Sequence, residues 1–182
     1  SGSIGGGSAD AYAPFGPLDG QSSVRTVVYN PTSEAVAIQI DVSYTTGATA
    51  TVRSLSLAPG SAVSYSAQDL SLARGIGGFV RVRADRPVLT SLSITDPAKG
   101  DGLSTPVAGR AATRWLFGDA FMSVAGAGTI TIEHLCLANP GGTSANISIH
   151  FVYLDGTRSQ LSLVVPARAS RTIALHNTGE II

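Results

Sequence analysis

Two histidines are the strongest candidates for chemistry in this sequence. His134 and His150 fall in neighbouring strand-like runs, and a hairpin of those runs would place the two imidazoles opposite each other. Imidazole nitrogens bind zinc and change charge near neutral pH, so the pair is a candidate metal or pH-sensitive site. The corresponding positions of an earlier, similar stretch are Arg25 and Asp41, which predict a cross-strand ion pair. Because no third metal ligand is evident, we favour a solvated polar pair.

Arginines provide the second candidate. The stretch 74–86 holds four of them, and Arg81 and Arg83 share one face of a predicted strand. Guanidinium groups bind carboxylates in a fixed geometry, so this face would suit an acidic glycan or the carboxylates of a neighbouring subunit. A charged outer face that discourages pairing between strand edges is the interpretation we favour.

Sequence patterns typical of enzymes are missing. The chain has no glycine-rich phosphate loop, no zinc-protease motif, no nucleophile elbow and no calcium loop. Its single cysteine, Cys136, excludes an internal disulfide and lies in an apolar run, where we expect a small buried side chain. We therefore expect no enzymatic activity, no cofactor and no bound metal.

The elements that would position these residues are β-strands. Polar and apolar residues alternate along 36–44 and again along 145–153, which is the period-two pattern of a strand with one buried face. The two stretches align without a gap at an offset of 109 residues, and Asn-Pro precedes each of them. The same offset aligns Gly47 with Gly156. Six residues are predicted to lie in hydrophobic cores: Ile38, Ile40, Val42, Ile147, Ile149 and Phe151.

The repeat predicts an all-β chain of two tandem antiparallel β-sandwich modules, Ig-like or transducer-like. Module 1 is expected to span 1–109 with a flexible N-terminal segment, and module 2 to span 110–182. The glycine- and proline-rich segment 95–113 is predicted as the linker. Module 1 ends in 78–95, predicted as a hairpin of two strands. Module 2 lacks this last hairpin and is expected to be incomplete.

An incomplete module leaves two alternatives for the N-terminal segment. Tyr12 and Phe15 either insert from a neighbouring subunit into the open sheet edge, or form the first strand of module 1 as the counterparts of Trp115 and Phe117. The predicted subunit-interface candidates are Tyr12, Phe15, Arg81, Arg83, Ile181 and Ile182.

Composition limits the partners. The 182 residues carry a formal net charge of zero, with 43% hydrophobic and only 13% charged residues. Such a chain lacks the field that attracts nucleic acid, and no stretch is long and apolar enough for a membrane-spanning helix. Low charge with this apolar share is typical of proteins that bury surface between subunits. The start without methionine predicts a processed or trimmed product whose targeting segment has been removed.

Three motifs resemble a repeat of exported bacterial proteins of uncharacterised function: "RWLFGDAF" at 114–121, "LCLANP" at 135–140 and "LVVPARASRTI" at 163–173. The same order of elements is similar to the sensory rhodopsin transducer family, a small β-sandwich that assembles as a homo-oligomer. The resemblance implies an exported β-sandwich repeat of structural or interaction type. It supplies no catalytic residues.

One function is expected, with two alternatives. We expect a non-catalytic extracellular structural protein that self-assembles into a filament, sheath or surface layer. One alternative is a β-sandwich module that binds a cell-surface glycan or another ligand through loops at one end. The other is an oligomeric signalling adaptor, as the transducer resemblance would allow.

Overall fold

The computed structural model describes residues 7–18, 22–96, 101–107, 112–114 and 134–175. These ranges contain strands and turns and no α-helix, so the predicted all-β class is confirmed. No helix among them is long and apolar enough to cross a membrane. The strands in chain order are β1 (Ser8–Phe15), β2 (Ser23–Tyr29), β3 (Val36–Tyr44), β4 (Thr49–Leu57), β5 (Ala62–Ser66), β6 (Gly78–Asp96), β7 (Asp101–Pro106), β8 (His134–Asn139), β9 (Ala145–Val152), β10 (Arg158–Val165) and β11 (Ala169–Ala174).

The long strand β6 holds the first part of the fold together. Its residues 78–84 pair antiparallel with β3, and its residues 89–95 pair antiparallel with β2. The strand order is therefore β4-β3-β6-β2-β5, with β1 on the first half of β6 and β7 on the second half. The predicted hairpin over 78–95 is wrong, because the chain continues as one strand. Pro87 lies between the two stretches that pair with β3 and β2, where a missing N–H breaks neither ladder.

A single core fills the space that β6 and its neighbours enclose. The alternation of β3 directs Ile38, Ile40 and Val42 into this core, and all three are buried as predicted. Matching aliphatic residues come from β2 and β6, including Val28 and Leu92. The predicted linker also differs from the structure, because β7 lies within 95–113 and pairs with β6.

The four strands β8–β11 reproduce the pairing of β2–β5. β8 pairs with β11 as β2 pairs with β5, and β9 pairs with β10 as β3 pairs with β4. We call β2–β5 the first strand set and β8–β11 the second strand set. The second set departs from the prediction in one respect: Ile147, Ile149 and Phe151 are only half-buried. The physical reason is that no described strand takes the place that β6 has between β3 and β2.

Corner residues explain why the two sets fold alike. Gly47 and Gly156 both have positive φ, 82° and 83°, in turns that begin at Tyr44 and Tyr153. Such a backbone favours glycine, because a side chain would clash with the chain. Strand β4 carries one extra residue as a bulge opposite the Ile40–Asp41 step, and β10 pairs without a shift.

Candidate functional site

The arginine face lies on the outer side of the sheet formed by β1, β6, β3 and β4. Arg81 makes a bidentate contact with Asp10, with Nη2–Oδ2 and Nε–Oδ1 distances of 2.6 and 2.9 Å. Its guanidinium also lies over the ring of Tyr12, 5.4 Å from the centroid. Arg83 contacts Asp41 with an Nη2–Oδ2 distance of 2.7 Å. The two predicted arginines are therefore paired with carboxylates of their own chain.

Asp41 is the buried member of this face. The residue is 3% exposed, and its Oδ1 accepts hydrogen bonds from Thr51 Oγ1 at 2.7 Å and from Gln39 Nε2 at 2.8 Å. Burial raises the pKa of Asp41, but the bonds from Thr51, Gln39 and Arg83 outweigh burial, so the pKa lies below its usual value. The carboxylate of Asp41 is therefore ionised, and its contacts are made within the chain.

The neighbouring carboxylate follows the same rule. Burial raises the pKa of Asp10, but the contacts with Arg81 and the hydrogen bond from Tyr12 together lower it by more than burial raises it, so the net shift is downward. Arg86 also has a partner, the carboxylate of Glu34. Three arginines of this stretch, Arg81, Arg83 and Arg86, are therefore each paired with a carboxylate of the same chain, and these pairs stabilise the sheet.

The predicted histidine pair is not formed. His134 lies in β8 opposite Ala174 of β11, whereas His150 lies in β9 opposite Gln160 of β10. The prediction assumed that β8 and β9 form a hairpin because they are neighbours in sequence, but each strand pairs with a later one. The equivalent pairing of Arg25 with Asp41 is wrong for the same reason. No group of three or more His, Cys, Asp or Glu residues that could hold a metal occurs among the described residues.

Cys136 lies at the contact between the second strand set and the rest of the fold. Its side chain is half-buried, and its Sγ accepts a long hydrogen bond of 3.9 Å from Thr172 Oγ1. Burial raises the pKa of the thiol, and the bond from Thr172 offsets only part of this shift. A protonated thiol in this setting is a packing residue and a poor nucleophile.

A cleft opens beside this contact. It has a volume of about 600 Å³ and lies between the loops around Thr45 and Gly77 on one side and β10 and β11 on the other. Ser170 lines the cleft, is 4% exposed, and its Oγ has no hydrogen-bond partner among the described residues. Arg171 and Thr172 add a cation and a second hydroxyl to the wall. The sequence analysis missed this cleft, because its residues are ordinary turn and strand residues that only the packing of the two strand sets brings together.

The inner face of the second strand set is the most unusual surface of the described residues. Five side chains are half-buried here although the aligned residues of the first set are buried: Leu135, Leu137, Ile147, Ile149 and Phe151. Leu161 and Leu163 of β10 are half-buried, as are the apolar residues Val52 and Leu55 of β4. On the outer side, Val152 and Val164 are 68% and 46% exposed. Large apolar patches that remain in contact with water are common at protein interaction surfaces.

The remaining predicted interface residues have different positions. Tyr12 and Phe15 lie in β1, which pairs with β6 of the same chain, as the second alternative expects of the first strand of module 1. Their roles at a subunit interface stay predictions. Phe15 is buried in the core, and Tyr12 faces Arg81. Ile181 and Ile182 lie outside the described residues, as do Trp115 and Phe117.

Comparisons with known proteins give a likeness of fold. No protein-family profile and no curated protein sequence matches the chain. The crystal structure of Thermotoga maritima 1070 is similar with a TM-score of 0.50 and 13% identity, over 56% of this chain and 94% of that protein. An Anabaena sensory rhodopsin transducer is similar with a TM-score of 0.40 and 13% identity, over 50% of this chain and 97% of that protein. At this identity the likeness to the Thermotoga protein concerns the fold alone.

Proposed function

We propose that this chain is a non-catalytic, exported structural protein that self-assembles through its second strand set. The observation that carries the proposal is the half-buried inner face of β8–β11, where apolar side chains stand at positions whose counterparts in β2 and β3 are buried. Burying apolar area contributes about 25 cal/mol per Å², so covering several aliphatic side chains from another chain is strongly favourable. Export and a location at the cell surface rest on the motif resemblance.

Light scattering after size-exclusion chromatography tests self-assembly. The mass of the particle is expected to rise over a roughly hundredfold range of protein concentration, because association follows mass action. Negative-stain microscopy of the largest species then distinguishes a filament or layer from a closed oligomer. A particle that keeps the mass of one chain over the whole range would refute the proposal.

A matched pair of variants ties the assembly to the inner face. Ile149→Asn places an amide on the half-buried inner side of β9, and Ser148→Asn places the same amide on its exposed outer side. The first variant is expected to weaken assembly and the second to leave it unchanged. Circular dichroism of both variants controls for unfolding. Equal assembly of the two variants would assign the contact to another surface.

A second candidate function is supported by the cleft between the strand sets. Its volume of about 600 Å³ falls in the range of small-ligand sites, and the buried hydroxyl of Ser170 is unpaired among the described residues. Hydroxyl groups beside Arg171 suit a glycan that carries an acidic group. Binding to a glycan array by a monomeric protein, abolished by Ser170→Val and Arg171→Ser and retained by Arg158→Ser, would favour this function over assembly.

A further inference from the structure

The two strand sets contact each other through a turn and a corner. Turn 1 is residues 43–49, where β3 turns into β4, and corner 2 is Pro140 together with residues 166–168 of the second set. One small cavity is lined by residues of both. A Cβ placed on Gly47 of turn 1 would lie 4.0 Å from the backbone oxygen of Ala167 in corner 2. Within one chain, therefore, the corner of the second set lies against the turn of the first.

Each strand set contains both features. Turn 2 is residues 152–158, where β9 turns into β10, and its glycine donates the same hydrogen bond to a tyrosine carbonyl as the glycine of turn 1. Corner 1 is Pro31 together with residues 58–60. Beside it, Asn30 donates to the two backbone oxygens that correspond to those bound by Asn139 in the second set. The chain therefore has a second turn and a second corner with the same local structure as the pair in contact.

Turn 2 and corner 1 are both exposed. Val152 is 68% exposed and Leu154 is fully exposed, the two highest values for large hydrophobic residues in the described part of the chain. A Cβ placed on Gly156 would meet no described residue within 4 Å, in contrast to its counterpart Gly47. The same holds for Gly60, and all of corner 1 is exposed. The contact that turn 1 makes with a corner is thus open at turn 2.

The residues of turn 2 and corner 1 match each other in chemistry. Within the chain, the hydroxyl side chains Ser43 and Thr45 of turn 1 lie on the side of a corner that carries Arg168. Turn 2 has Val152 and Leu154 at the positions of these hydroxyls, and corner 1 has a glycine in place of the arginine. The side chains of corner 1 are Pro31, Ala58 and Pro59. A polar turn therefore meets a charged corner within the chain, and an apolar turn is left with an apolar corner.

We propose that turn 2 of one chain binds corner 1 of a second copy, in the way that turn 1 binds corner 2 within the chain. Leu154 and Val152 then bury their apolar area against the prolines of the corner. The two surfaces differ, so the contact is head-to-tail, and its repetition extends an open assembly unless the rotation closes a ring. The inference rests on the proposed assembly function and adds a contact at the end of the second strand set, apart from the inner face.

Crosslinking between two variants tests the contact directly. Full chains with Leu154→Cys are mixed with full chains with Pro59→Cys, a short bis-maleimide is added, and crosslinked peptides are identified by mass spectrometry. The control replaces the first variant by Ser162→Cys, on the exposed side of β10. We expect at least about tenfold more crosslink to Pro59→Cys from Leu154→Cys than from the control, because a contact raises the local concentration of the thiols. The parent chain gives the background from Cys136, which is half-buried.

A pair of charges tests the same contact through assembly. Leu154→Asp is expected to weaken assembly at least about tenfold, because the contact would bury a carboxylate against apolar side chains. Asn146→Asp adds the same charge on the exposed side of β9, at the end far from turn 2, and is expected to assemble as the parent does. Adding Pro59→Lys to Leu154→Asp is expected to restore assembly, because opposite charges then meet across the contact.

Three results would overturn the inference. They are crosslinking of Leu154→Cys no greater than that of the control, equal assembly of Leu154→Asp and Asn146→Asp in a chain that assembles, and no recovery in the double variant. The proposed function fails separately. A chain whose mass stays that of one chain, yet which gives the specific crosslink, retains the contact without assembly; a chain that assembles without the crosslink retains assembly through another surface.

Discussion

The Asn-Pro corner of the first strand set offers the sharpest test of how the fold is held. Asn30 is fully buried, and its Nδ2 donates to the backbone oxygens of Glu34, Leu57 and Ala58 at 2.7, 3.0 and 3.1 Å. Its Oδ1 accepts from the backbone nitrogen and the hydroxyl of Thr32 at 2.9 and 2.7 Å. A single amide therefore joins the end of β2 to the end of β4.

Asn30→Ala is expected to lower the free energy of unfolding by about 3 kcal/mol. The buried carbonyl of Leu57 loses a donor, which costs about 1–3 kcal/mol, and each of the part-buried bonds contributes about 0.5–1 kcal/mol where water does not replace it. Asn30→Asp is expected to cost at least as much at neutral pH. A carboxylate keeps the acceptor, has no N–H to donate, and would face three carbonyl oxygens.

Urea unfolding followed by far-UV circular dichroism measures these losses, and amide exchange of β2–β5 locates them. Asn139 provides the matched comparison, because it makes three of its four bonds to equivalent carbonyls, of Thr143, Val165 and Pro166. Asn139→Ala is expected to cost about 2 kcal/mol and to affect β8–β11. A loss below about 1 kcal/mol in Asn30→Ala, or a milder effect of Asn30→Asp, would refute the reasoning.

Three further predictions follow from single positions. Gly78→Ala is expected to destabilise the fold by about 2 kcal/mol or more in urea unfolding, because its Cβ would collide with the backbone of β3, whereas Gly142→Ala, with open space around it, stays within about 0.5 kcal/mol of the parent. Arg168 has φ 54° where the first set has Gly60 at 64°, so Arg168→Gly is expected to raise stability by about 0.5–1 kcal/mol; a lower midpoint would contradict this. The pKa of Asp41 is lowered from its ordinary value of 3.8, so the stability that this carboxylate contributes is present above that pH and is lost as the pH falls through the folded-state pKa. Asp41→Asn is expected to reduce the loss of unfolding free energy at acid pH, and an unchanged loss would contradict this.

Local patterns in the sequence predicted the strands well and their partners poorly. The alternation in 36–44 identifies β3 and its inward residues, because a strand in contact with a core must place every second side chain there. The glycine turns were equally readable, since Gly47 and Gly156 occupy backbone that other residues avoid. Pairing is a property of residues far apart in the chain: nothing near His134 indicates that β8 selects β11.

The interior of β6 marks a second limit. "RADRP" reads as a break between two strands, but in the structure it lies within β6, between the residues that pair with β3 and those that pair with β2.

The candidate sites were even less predictable. Arg81 and Arg83 were identified as a charged pair, but their carboxylate partners come from β1 and β3, so only the assembled sheet shows that these charges are already satisfied. The incomplete second module, which the sequence analysis expected from the absence of a counterpart to 78–95, stays a prediction.

The matching architecture of the two strand sets has a consequence for the kinetics of folding. During synthesis, residues 78–96 leave the ribosome directly after β2–β5 and well before β8–β11 exist, so β6 meets one set of open edges. When the complete chain refolds from denaturant, both sets are present at once and compete for the same strand. During synthesis β6 can therefore pair only with the first strand set, whereas during refolding it can pair with either set. The entropy of loop closure favours the nearer first set only weakly, because this entropy grows slowly with chain separation.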